Sequence, residues 1–230
     1  MSYDPKAATS QQEITARNRM FNVDGFGVAW YTRAQEEFGE EVGPRPALYK
    51  HIAPPGNDLA FHSLCQNVHT TNVLAHIRTA SATPVVPVNN HPFVFGRHSI
   101  MHNGLISNFS DIKRDMLDLM GKDEYENIKG GTDSEHLAAL YMTRLVGEKG
   151  SKGWEDACSA DQMKEALEQA CHEIFELQQK TLGAQNAEAN SLNICCSDGE
   201  RMIAFRLRNH AREQPPSLYW SNSAGKCPSP

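Results

Sequence analysis

The sequence predicts an α+β fold in which antiparallel sheets are covered by helices. Three observations predict it. Short β-like segments come first, helices follow, and two strands return near the end. The helices do not alternate one by one with strands, which argues against a doubly wound parallel sheet. The longest periodic stretch, 161–182, carries Met163, Leu167, Ala170, Ile174 and Leu177 at helical spacing, as a helix packed on a sheet by one face would.

The elements follow in order. Residues 1–20 read as a polar lead-in. Asp24-Gly25 is a turn signal, and Phe26 to Tyr31 reads as a buried strand with small residues for close packing. Residues 35–46 are charged and rich in Gly and Pro, so they form a loop, and Leu48 to Ile52 pairs back as a second strand. Val73 to Ile77 is a short strand. Residues 80–92 form a long ordered loop, and strands over 93–98 and 99–102 flank a turn at Gly96. Ser110 is placed to cap a helix that runs to about Met120 and closes at Gly121. Thr132 or Asp133 is placed to cap another, through about Val146. A linker over 147–160 leads to the long helix, which Gly183 ends. Residues 192–196 and 202–207 read as a hairpin around Ser197-Asp198-Gly199.

Composition narrows the function classes. The chain has 230 residues, 40% hydrophobic and 22% charged, enough for one core. One domain over 21–225 is expected, with a short tail at 226–230. The net charge is −6 and no basic stripe is present, so no nucleic-acid partner is expected. No apolar run reaches membrane-span length and residues 1–19 have no signal-peptide core, so no membrane is expected and a cytosolic or nuclear location follows by default, with cytoplasmic the expectation. The six cysteines form no CxxC pair and read as reduced core residues.

Several residues can carry chemistry. Arg78 closes a buried strand and needs a partner, because an unpaired buried charge is costly. That partner is either a ligand carboxylate or an internal Asp or Glu. Asn103-Gly104 is either an oxyanion-stabilising pair or a hairpin turn. Asp133 either caps a helix or receives an ammonium group, with Thr132 capping in its place. Six histidines between His62 and His102 suggest a metal-dependent hydrolase, but none has the HExxH pairing, so no metal is expected.

Taken in order, His76-Ile77-Arg78-Thr79, Asn89-Asn90-His91-Pro92, His102-Asn103-Gly104-Leu105-Ile106-Ser107-Asn108 and Thr132-Asp133-Ser134-Glu135 resemble the class II glutamine amidotransferases. Asn22 to Tyr31 and the segment Arg208 to Tyr219 resemble the branch containing the amidotransferase-like subunit of the fungal glutathione-degrading complex. The likeness covers roughly residues 20–222. It implies an N-terminal-nucleophile hydrolase fold, a four-layer αββα sandwich. It also implies hydrolysis of the glutamine amide, or of a γ-glutamyl bond, through a thioester on an N-terminal cysteine. By the same resemblance Arg78 holds the substrate carboxylate and Asp133 the ammonium. Asn103 and the Gly104 N–H form the oxyanion hole, and Thr79, Ser81 and His91 line the pocket. No cofactor is implied, and a peptidase-like partner subunit is.

The family begins Met-Cys-Arg-Phe, whereas this chain begins Met1-Ser2-Tyr3-Asp4. A sandwich truncated at both ends, without the strand that carries the nucleophile, is therefore expected. Two functions stay open: an amidotransferase or γ-glutamyl hydrolase, and a non-catalytic relative that binds a glutamine-like ligand or a partner.

Overall fold

The computed structural model describes residues 24–39, 43–80, 83–210 and 212–221. Two antiparallel sheets lie face to face. The first has the order β2-β1-β3, with β1 at Phe26–Thr32, β2 at Arg45–His51 and β3 at Val73–Ile77. The second has the order β4-β5-β6-β7, with β4 at Phe93–Phe95, β5 at His98–Leu105, β6 at Ser191–Ser197 and β7 at Met202–Arg208.

The pleat of β1 divides the first sheet into two environments. Phe26 and Tyr31 are five residues apart and so point to opposite faces. Phe26 packs against Phe61 at 4.6 Å between ring centroids, and Phe61 belongs to helix α1 (Leu59–Asn67). On the other face Tyr31 reaches across to the second sheet. Its hydroxyl lies 2.9 Å from the Arg97 carbonyl, 2.8 Å from the Ser197 carbonyl and 2.9 Å from the Ser99 hydroxyl. Gly27 backs onto the carbonyl of His91, where a Cβ would collide. The Lys50 ammonium lies 5.0 Å from the Phe93 ring centre.

The largest core sits on the far side of the second sheet. Phe93, Phe95, Ile100, Leu192, Ile194 and Cys196 pack there against α2 (Phe109–Asp118), α4 (Asp133–Val146) and α5 (Ala160–Leu182). A short helix α3 (Lys122–Glu126) joins α2 to α4. In α4 the residues Leu137 to Met142 are all buried, so this helix is enclosed between the sheet and α5. Helix, sheet, sheet, helix is the expected four-layer αββα order.

Several boundaries differ from expectation. Helix α1 was not anticipated. It buries none of its residues fully, so its apolar period is weak, and its main sequence signal is Asp58, whose carboxylate accepts the Phe61 N–H at 3.0 Å. Helix α2 is preceded by Asn108 in a left-handed conformation, and Ser110 lies inside the helix. Gly121 precedes α3 and does not simply close α2. The expected linker at 147–160 contains a 3-10 segment over Gly147–Glu155. Helix α5 begins with a capping box between Ser159 and Gln162.

Leu140→Ala is expected to destabilise the protein by about 2–5 kcal/mol, because the enclosed site cannot collapse around the missing atoms. Urea unfolding checks this as a lower midpoint with an unchanged slope.

Candidate functional site

The larger cleft, about 610 Å³, opens at one end of the sandwich. Its walls come from the end of β3, the end of β5 with the segment after it, and the first turn of α4. These elements bring together Arg78, Thr79, His91, Asn103, Gly104 and Asp133, which are distant in sequence. Ser81, the remaining expected site residue, lies outside the described residues.

Arg78 is 4% exposed. Its backbone N–H donates to Gly25 at 2.8 Å, which continues the pairing of β3 with β1. Its guanidinium donates to Thr83 Oγ1 at 2.6 Å and to the Pro84 carbonyl at 3.3 Å. Among the described residues it makes no ion pair within 4.0 Å, so the internal salt bridge weighed above is not what holds it. Asp24 acts on it at longer range while its carboxylate accepts the Ala80 N–H at 2.8 Å. Among the described residues, neutral acceptors thus fix the fork and Asp24 offsets its charge only at longer range, which suits an incoming carboxylate.

Asn103 and Gly104 do not form a hairpin turn. They lie within β5, opposite Asn193 and Leu192 of β6. Gly104 is needed there because a Cβ would strike the Ser191 carbonyl oxygen. Consecutive residues in a strand point to opposite faces. Asn103 and His102 therefore leave the strand on opposite sides; both border the cleft, and His102 Nδ1 meets Ser134 Oγ at 2.9 Å.

Thr132 takes the cap of α4, its hydroxyl accepting the Glu135 N–H at 3.1 Å. Asp133 is released from capping but is not idle. Its Oδ2 accepts the Ile106 N–H at 2.8 Å, and Oδ1 accepts the Ser134 N–H at 2.8 Å. Asp133 therefore ties α4 to the segment that follows β5.

His91 is 6% exposed, and neither ring nitrogen has a hydrogen-bond partner among the described residues. The His91-Pro92 peptide is cis. The ring lies 4.2 Å from that of His76 and edge-on to Phe93. Burial pushes the His91 imidazole well below its ordinary pKa, and the neighbouring His76, His102, Lys50 and Arg78 add to the effect. Burial also lowers His76, to about 4, and His102. The cleft therefore holds three histidines that are neutral near pH 7. Among the described residues no group of His, Cys, Asp or Glu is arranged to hold a metal ion, and no cysteine lines the cleft.

His76, Thr83, His102 and Ser134 border the cleft without having been singled out for it. The flanking motif positions, next to Arg78, Asn103 and Asp133, were the available signal for His102 and Ser134.

Two facing antiparallel sheets thus bring an arginine, an Asn-Gly pair and a helix-start aspartate onto one cleft. The family described as glutamine amidotransferases class-II matches residues 8–216, and the chain belongs to it. "Probable glutamine amidotransferase DUG3" of Saccharomyces cerevisiae is 32% identical over 208 residues, 89% of this chain and 57% of that protein. "Gamma-glutamyl-hercynylcysteine sulfoxide hydrolase" of Mycobacterium tuberculosis is 26% identical over 107 residues, 45% of this chain and 42% of that protein. A solved glutamine aminotransferase class-II domain protein from Silicibacter pomeroyi superposes with a TM-score of 0.60 and 26% identity, over 82% of this chain and 71% of that one. The chain thus spans little more than half of the longer-matching curated relative. Among the described residues no helix is long and apolar enough to cross a membrane.

The neutral histidines set a pH dependence. Below pH 6.5 the unfolded chain binds a proton at each of His76 and His98, whereas both stay neutral in the fold to about pH 4. Stability is therefore expected to fall as pH drops from 6.5 toward 4, by up to about 1.4 kcal/mol per pH unit for each such imidazole. Urea unfolding across that range measures the slope. His98→Gln should lower it by one imidazole's share, and an unchanged slope would remove His98 from the account.

Proposed function

We propose that the cleft binds the glutamyl group of glutamine or of a γ-glutamyl compound, for hydrolysis of its side-chain amide bond. The observation that carries this is the convergence of Arg78, Asn103, Gly104 and Asp133 on one cleft. A glutamyl group presents a carboxylate, an ammonium and a carbonyl that becomes an oxyanion. Arg78 takes the carboxylate, because its buried charge has neutral protein partners. Asp133 takes the ammonium with the lone pairs its two backbone N–H contacts leave free. The Asn103 side chain and the Gly104 N–H stabilise the oxyanion. Thr79 and His91 line the pocket, and the neutral His91 adds no charge to repel the ammonium.

In the chemistry that the family resemblance implies, a cysteine thiolate attacks the carbonyl carbon, the C–N bond breaks and ammonia or an amine leaves with a proton delivered by the α-amino group of that cysteine, and water then hydrolyses the thioester to release glutamate and regenerate the thiol. On this reading the residues of the cleft take the binding and oxyanion parts of this sequence. Similarity to a gamma-glutamyl sulfoxide hydrolase supports a γ-glutamyl substrate, and the likeness to the fungal branch supports a glutathione-type one. By the same likeness we propose cytoplasmic action and a peptidase-like partner subunit.

The full chain is expected to bind L-glutamate in calorimetry, and Arg78→Ala to weaken that binding at least about tenfold, the scale of one charge-assisted pair. Unchanged affinity would overturn the carboxylate assignment. Glutamate release from glutamine and from glutathione, assayed side by side with the candidate partner present and absent, separates the substrates.

A further inference from the structure

A chain of hydrogen bonds runs behind the cleft from β6 to the first turn of α4. His102, 2% exposed, places Nε2 3.0 Å from the Ser191 carbonyl oxygen and Nδ1 2.9 Å from Ser134 Oγ. Ser134 Oγ also lies 3.2 Å from Asp133 Oδ1. These contacts involve too few protons to satisfy every pair at once, and counting them decides which bonds exist.

A carbonyl oxygen only accepts, so Nε2 must carry the hydrogen. A neutral imidazole has one N–H, so Nδ1 is then a bare lone pair and must be given a proton. Among the described residues the donor facing it is the Ser134 hydroxyl, which has a single hydrogen. Once that hydrogen points to Nδ1 it cannot also serve Asp133 Oδ1, whose contact with the hydroxyl is the longer one. The opposite tautomer would set the Nε2 lone pair against the Ser191 oxygen. The doubly protonated ring would satisfy all three contacts but place a cation in a buried site. Burial lowers the His102 pKa, with Asp133 on α4 and the bond to Ser191 opposing. His76 on β3 and His91 before β4 interact electrostatically with the ring, and both are held neutral.

We propose that His102 and Ser134 are positioning residues: neutral His102 draws the Ser134 hydroxyl proton away from Asp133 and so keeps Oδ1 open to the ammonium group of the bound glutamyl moiety. This rests on Asp133 as the ammonium site. The same ring holds the Ser191 carbonyl, against which Gly104 packs. One imidazole thus couples the ammonium end of the cleft to the oxyanion end. Removing it would free the hydroxyl to donate to Asp133, where it would compete with the ligand.

The test has two arms. The first is the nitrogen-15 spectrum of His102 in the unliganded full chain near pH 7, with the resonance assigned by selective labelling. A protonated Nε2 and an unprotonated, hydrogen-bond-accepting Nδ1 are expected, and a protonated Nδ1 overturns the proposal. The second is L-glutamate binding by calorimetry to His102→Phe and to the double variant His102→Phe/Ser134→Ala, each checked for folding by thermal unfolding. The single variant should bind about tenfold more weakly, as one hydrogen bond to a charged group is lost to competition. The double variant should regain most of that loss, because no hydroxyl remains to compete. A purely structural role for His102 predicts no recovery, and absence of recovery overturns the proposal. Should the variants not fold, the spectrum decides alone. Should the wild-type chain fail to bind glutamate, the proposed function falls, and the spectrum still decides the direction of the hydroxyl.

Discussion

The first turn of α4 fastens the molecule together. Four consecutive side chains, Thr132 to Glu135, each hold a different partner. Thr132 caps the helix itself, Asp133 holds the Ile106 N–H, Ser134 meets His102, and Glu135 accepts the N–H groups of Lys129 and Gly130 at 2.9 and 2.7 Å. A helix N-terminus presents unsatisfied N–H groups and a positive dipole end, so acidic and hydroxyl side chains are favoured there. Here they satisfy the turn and also bind the end of β5 and the loop that leads into α4. The helix behind this turn is enclosed by the second sheet and α5. The cleft therefore takes its position from the most deeply buried helix of the core.

The two sheets are joined differently. Tyr31 reaches across between them to two carbonyls and the Ser99 hydroxyl, and burial raises its phenol pKa to about 12. Gly27 allows the chain at His91 to approach β1 closely. Contacts of this kind set the spacing of the sheets with few large apolar groups. The cleft at their end then holds buried polar groups, Arg78 and three neutral histidines, in place of core. Unmet polar capacity at such a site costs stability and prepares the site for a ligand that restores it.

Much of this was legible from the sequence. The resemblance carried by the motifs around Arg78, Asn103-Gly104 and Asp133 implied one site, and the periodicity of 161–182 marked a helix with one apolar face. Thr132 was rightly considered as an alternative cap. Asn103-Gly104 was open between a turn and an oxyanion-stabilising pair, because Asn and Gly tolerate turn conformations; the turn is excluded, and the glycine serves close approach to Ser191. The misreadings have local causes. Helix α1 lacks a buried stripe, so it has almost no periodic signal. Asn108 in a left-handed conformation displaced the expected cap at Ser110, because the chain leaving β5 must turn sharply to enter α2.

The sequence by itself determined the element order, which follows from periodicity and turn signals, and its ordered short motifs carried the family resemblance, which in turn implied the residues for a glutamyl group. Only the tertiary structure decided what each polar group does. Whether Arg78 has an internal carboxylate partner, whether Asp133 caps its helix, and which way the Ser134 hydroxyl points all depend on atoms contributed by distant segments. Hydrogen bonds are directional and saturable, so their assignment is fixed by geometry across the fold and not by neighbours along the chain.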